Sequence, residues 1–119
     1  MTTLSILRRP LPPVIDEMMI TFGGAAEVAE YAFTGTNGAN VVAALGDRAA
    51  AILSNHGNVC VGRALEQALH VAVVMESAAR VYVQALQIGE PFVLPESSVR
   101  DGRKMFDERQ RAKSPFKNG

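Results

Sequence analysis

Hydrophobic positions along this chain follow two rhythms, and each predicts a different kind of element. Over residues 65–88 they recur at threes and fours, through Leu65, Leu69, Ala72, Met75, Ala79, Tyr82 and Leu86. Glu66, His70, Ser77, Arg80, Gln84 and Gln87 form the opposite stripe, so the spacing predicts a long amphipathic helix. Val71, Val74, Val81 and Val83 widen its apolar surface, and much of the helix is expected to be buried, part of it against another subunit. Gly89-Glu90-Pro91 ends it. Residues 49–53 contain no polar position at all, as a central strand covered on both faces requires. Residues 58–61 are expected to pair beside that strand, across the turn Asn55-His56-Gly57.

The remaining segments are shorter. Residues 2–7 read as the end of a helix, which Arg8-Arg9-Pro10 terminates because proline disfavours helical geometry in the residue before it. Residues 11–17 are expected to be extended, Gly23-Gly24 to form a bend, and a short strand to lie near 27–31. Thr36 is placed to cap a helix over 37–45 that turns Val41, Val42 and Leu45 inward and ends with Gly46 in a left-handed conformation. A polar helix is predicted over about 97–111, with residues 114–119 frayed.

Composition narrows the class. With 48% apolar and 20% charged residues and a formal net charge of zero, the chain has enough apolar surface for a core and is neither a disordered nor a collagen-like sequence. The one cysteine cannot close an internal disulfide, no signal-peptide pattern opens the chain and no apolar run is long enough to span a bilayer. A cytoplasmic location and no membrane partner are expected. Residues 96–119 hold seven Lys/Arg against four Asp/Glu, but the signs are mixed and aromatics sparse. That pattern predicts a solvated helix and no nucleic-acid surface.

The segment Ala51-Ile52-Leu53-Ser54-Asn55-His56-Gly57-Asn58-Val59-Cys60-Val61-Gly62 carries the chemistry. A histidine where a buried strand meets a turn is held by rigid backbone and aimed beyond the sheet edge, where ligands bind in α/β proteins. Asn55 and Gly57 are expected to shape the turn, since glycine tolerates positive φ and asparagine can bond to nearby backbone. Together with the Leu65-Glu66-Gln67-Ala68 start of the long helix, the segment resembles the stretch of the class II aldolase/adducin family that bears its third metal-binding histidine. The resemblance runs from about residue 2 to 95. It includes Leu11-Pro12-Pro13-Val14, Gly35-Thr36, Gly46-Asp47-Arg48-Ala49 and Glu76-x-x-Ala79-x-x-Tyr82.

This resemblance implies a divalent metal, commonly zinc, held by the two histidines of an H-x-H motif and by the position of His56. In the family the metal polarises a substrate carbonyl and stabilises an enediolate, while an upstream glutamate moves protons. Members include phospho-sugar aldolases, sugar-phosphate epimerases and decarboxylases. Adducin keeps the fold for cytoskeletal binding without the chemistry. On this resemblance the H-x-H motif falls a few residues before Met1, and the glutamate and phosphate loops earlier still. A catalytic zinc needs about three protein ligands, so the metal is not expected to be retained by these residues alone. His70, inside the long helix, cannot replace the missing pair. The family's proton-donating tyrosine, contributed by a neighbouring subunit, falls near Asp16 and Glu17. No tyrosine stands there, and the two carboxylates are secondary candidates for facing an active site, with solvation as their simpler role.

Other candidates have plainer readings. Cys60, between two valines, fits a small buried apolar site and has no basic neighbour to make it nucleophilic. Glu76 stands four residues before Arg80, the favourable order for a helical ion pair. The fold class expected is α/β: the C-terminal part of a class II aldolase-like α/β/α domain, with a few-stranded sheet covered by helices. Residues 1–95 form that partial domain and 96–119 a polar helix and tail. The function implied is metal-dependent retro-aldol cleavage of sugars or sugar phosphates, inactive without the upstream residues, with a homo-oligomer or a complementing N-terminal half as partner. The alternatives are a related epimerase or decarboxylase, or a non-enzymatic adducin-like module that self-associates through its long helix. Catalytic residues are not identifiable from this stretch.

Overall fold

The computed structural model describes residues 1–31 and 37–112. Thr36 as a cap and the fraying of 114–119 lie outside them. Among the described residues, five helices and three strands follow in the order α1 (Thr2–Ile6), α2 (Asp16–Phe22), β1 (Val28–Ala29), α3 (Asn37–Leu45), β2 (Ala50–Leu53), β3 (Gly57–Cys60), α4 (Leu65–Ile88) and α5 (Glu96–Ala112).

The apolar run is the middle strand of the sheet, as its composition requires. β2 lies between β1 and β3, parallel to the first with Val28 opposite Ile52, and antiparallel to the second with Ala50 opposite Cys60 and Leu53 opposite Gly57. Successive side chains of a strand point to opposite faces, and here each face meets a helical layer. Ala50 and Ile52 join Phe22, Val71, Met75 and Tyr82 in one cluster. Ala51 and Leu53 join Ala44 of α3 and Val59 in another. All four residues of β2 are buried. The described residues thus form the α/β/α arrangement expected, with a three-stranded sheet between helices.

Several expectations about which residues face inward need correction. The buried stripe of α4 is Val71, Met75, Ala78, Ala79 and Tyr82, whereas Leu65 and Leu69 are 85% and 63% exposed. A hydrophobic period specifies a face but not how far along the helix that face is covered. At the start of α4 it is Gln67 and Ala68 that are half-buried, Gln67 donating to Gln110 of α5 at 3.4 Å, while Leu65 and Leu69 stand on the uncovered side. In α3, Val42 is exposed and Ala44 takes the core position, because the close approach to β2 selects a small side chain. Residues 16 and 17 are helical, not extended. They open α2, where two carboxylates in the first turn complement the positive end of the helix dipole.

α5 is polar overall but not merely solvated. Phe106 is buried in the same core as α2 and α4, and Gly102 lets the α5 backbone press onto α2: a Cβ added there would lie 2.5 Å from Met19 Cβ. Arg103 fastens the contact to the α3–β2 connection. Its guanidinium donates to Asp47 Oδ1 at 3.0 Å, to the Asp47 carbonyl at 3.1 Å, and through Nε to Asp107 at 2.9 Å. The hydrogen bond from Arg103 holds the Asp47 carboxyl below its ordinary value. For Arg103, burial acts to lower the pKa, and the hydrogen bonds it donates to Asp107 and Asp47 outweigh it and raise the value.

Candidate functional site at the carboxyl ends of β1 and β2

Parallel pairing brings the chain segments that leave β1 and β2 to the same edge of the sheet. Glu30 and Tyr31 follow β1, and Ser54, Asn55 and His56 follow β2. The turn closes through an exchange with its own strand, His56 N–H donating to the Leu53 carbonyl at 3.1 Å. Asn55 at φ 58° and Gly57 at φ 154° supply the backbone conformations that most side chains disfavour. The Asn55 side chain, expected to bond to nearby backbone, bonds to Arg8: its Oδ1 accepts from Arg8 Nε at 3.2 Å.

His56 is exposed, yet its ring is not loose. Tyr31 stacks on it with centroids 4.2 Å apart and planes inclined by 25°. Between the two strands lies Ser54, 2% exposed. Its N–H donates to the Ala29 carbonyl at 2.9 Å and its Oγ accepts from Tyr31 N–H at 3.1 Å. Arg8, in a left-handed conformation at φ 52°, reaches Glu30 at 3.4 Å as well as Asn55, and the Asn55 N–H donates to the Ser5 carbonyl at 3.0 Å. The α1 end, the β1 end and the turn are thereby laced together under one exposed imidazole.

An imidazole in this setting offers a nitrogen lone pair to a metal or a proton. It is one donor, however, and among the described residues no group of three or more His, Cys, Asp or Glu is placed to hold a metal ion. The other sequence candidates do not join it. Glu17 accepts from the Thr21 hydroxyl at 3.1 Å and borders a small cleft beside Val73 and Ala78 of α4, and Asp16 is exposed at the start of α2. His70 is exposed on α4 and lines a cleft of about 530 Å³ with Thr21, Arg63, Phe106 and Arg109, which no residue of the turn lines. Glu76 receives the amino group of Met1 at 2.9 Å. Cys60, half-buried, has its thiol pushed up to about 11 by burial, the opposite of an activated nucleophile. Sequence reasoning missed Arg8, Tyr31 and Ser54 as neighbours of His56. The one local signal was Ser54, a polar residue directly before the Asn-His-Gly turn.

This arrangement belongs to a known class of α/β domain. A solved structure of L-fuculose 1-phosphate aldolase superposes with a TM-score of 0.81 at 34% identity, covering 89% of this chain and 50% of that one. Residues 1–83 match the family described as class II aldolase and adducin N-terminal domain, and the chain belongs to that family. Among curated relatives, the 5-methylthioribulose-1-phosphate/5-deoxyribulose-1-phosphate aldolase of Rhodospirillum rubrum is 35% identical over 96 residues, 79% of this chain and 43% of the relative. The L-fuculose phosphate aldolase of Escherichia coli O6:H1 is 35% identical over 92 residues, 76% of this chain and 43% of the relative. The chain thus spans less than half the length of these curated relatives. Among the described residues, no helix is long and apolar enough to cross a membrane.

Proposed function

We propose that this chain supplies the His56 side of a divalent-metal-dependent lyase that cleaves a carbon–carbon bond in a sugar phosphate by retro-aldol chemistry. The observation that carries the reading is the exposed imidazole at the shared carboxyl ends of β1 and β2, held by a turn whose Asn55 and Gly57 both need positive φ. Aldolases of phosphorylated sugars among the relatives support the substrate class. His56 fits one ligand position by donor chemistry and exposure, with zinc the expected ion, and a bound metal would act as a Lewis acid toward a substrate carbonyl. The described residues do not complete a coordination shell. The remaining ligands, the proton-transfer carboxylate and the phosphate contacts would come from other residues, and the lyase is expected to work in the cytoplasm.

Two measurements test the reading. Zinc titrated against the purified chain should bind no more tightly than to a peptide with one histidine, with His56→Ala leaving only the comparably weak binding of exposed His70. Mixed with the N-terminal half of a related aldolase, the chain should bind zinc stoichiometrically and release a carbonyl product from a ketose 1-phosphate. Absence of both in the mixture would overturn the proposal. A second reading, an adducin-like self-association module, draws on Leu65, Leu69 and Val73, spaced four apart on the exposed part of α4. It predicts concentration-dependent sedimentation that Leu69→Glu abolishes, with no turnover in any mixture.

A further inference from the structure

We infer that Tyr31 is a positioning residue for the His56 imidazole. An exposed histidine on a turn is ordinarily free to move among side-chain rotamers. Here one face of its ring is covered by a phenol ring 4.2 Å away and 25° from parallel. Stacking covers a face and leaves the two in-plane nitrogens open. It therefore restricts the ring's direction without occupying the atoms that would act.

The support for Tyr31 is built in the same place. Its N–H donates to Ser54 Oγ, and the Ser54 N–H donates to Ala29 just before it, so the segment bearing the phenol and the segment bearing the imidazole are tied across the parallel strands at a buried serine. Tyr31 also packs against the cluster of Ala29, Ala44, Ala51 and Leu53. A ring anchored on both its backbone and its body is a wall, and His56 rests against it. The contact depends on ring shape, so phenylalanine should serve as well as tyrosine and a branched aliphatic side chain should not. What the imidazole is held for rests on the function proposed above, whereas the holding itself does not.

The test begins with the ring-proton resonances of His56 in the purified 119-residue chain, assigned with His56→Ala and referred to exposed His70. Wild type and Tyr31→Phe should show His56 signals displaced upfield by the neighbouring ring, with cross-relaxation between the two rings. Tyr31→Leu should return them to the position of His70 while amide protection in β2 is unchanged. His56 signals that match His70 in the wild type, or that Tyr31→Leu leaves displaced, would overturn the inference. Should Tyr31→Leu fail to fold, Tyr31→Phe and the inter-ring cross-relaxation decide it. A second arm titrates zinc against the mixture with the N-terminal half of a related aldolase. Tyr31→Leu should weaken binding about 10–100-fold and Tyr31→Phe restore it, the range for residues that orient a metal-bound histidine. A wild-type mixture that binds no zinc would remove the metal reading and leave the ring signature to stand. Equal zinc affinity in wild type and Tyr31→Leu would overturn the positioning role.

Discussion

The β2–β3 turn and the contact between α2 and α5 both demand particular residues, positive φ at the one and a missing side chain at the other, yet they are specified differently. The turn is made by neighbours in sequence: Leu53 accepts from His56, and Asn55 and Gly57 take the positive φ angles between them. The α2–α5 contact is made by residues far apart, Gly102 on Met19, Phe106 in the core, and Arg103 on Asp47. The first encodes its geometry in which residue types stand side by side. The second encodes it in the absence of one side chain opposite the presence of another, which only the folded chain brings together.

The contrast can be broken most directly at Phe106. Phe106→Ala should cost about 3–5 kcal/mol in urea denaturation, the range for removing a large buried side chain. The folded fraction should keep the inter-ring contact of Tyr31 and His56, because Phe106 belongs to the cluster on the opposite face of β2. A cost under 1 kcal/mol would mean that α5 is only loosely applied to the rest.

Gly102 and Gly38 sharpen the comparison because both are helical glycines in different surroundings. On propensity alone Gly→Ala stabilises a helix by up to about 1 kcal/mol. Gly38→Ala in α3 should do so, since nothing lies within 4 Å of the added methyl. Gly102→Ala should instead destabilise by about 1–3 kcal/mol through overpacking on Met19. Matching signs for the two would show that α5 can slide away from α2 at little cost.

Much of the turn could be read from the sequence for the reason just given. The strand at 50–53, the Asn-His-Gly break, the helix 37–45 with Gly46 beyond it at φ 56°, and the full span of α4 all follow from local composition and period. What escaped was pairing between distant residues. Nothing beside Tyr31 announces that it will meet His56, and Arg8 reads as the end of a helix until its guanidinium is seen at Asn55. The inward stripe of α4 was misjudged at Leu65 and Leu69 because periodicity is a property of the helix, whereas burial is a property of what lies against it.

The turn itself offers a smaller and more local test. Asn55→Ala should cost about 1–2 kcal/mol, since a residue with a Cβ and no side-chain hydrogen bond pays a penalty in the left-handed region. Asn55→Gly should cost less although it also removes the acceptor for Arg8. If the glycine variant proves the less stable of the two, the Arg8 contact and not the backbone angle is what Asn55 supplies.

The smallest effect expected is electrostatic and lies on the other side of the comparison. Asp47 is exposed while Arg103 is mostly covered, so their pairing is screened by water and should contribute no more than about 1 kcal/mol. Its sign with pH is nevertheless definite. The hydrogen bond from Arg103 lowers the Asp47 carboxyl below its ordinary 3.8 in the folded chain. The folded state therefore holds its proton less tightly than the unfolded state does, and the stabilisation is fully present above the ordinary value and lost as pH falls through the lowered one. Asp47→Asn should lower the urea midpoint near neutral pH and converge on the wild type in acid, below that lowered value. A difference that persists unchanged into acid would assign the contribution to the side chain's shape and hydrogen bonding and not to its charge, since Arg103's bond with the carbonyl of residue 47 is common to both proteins.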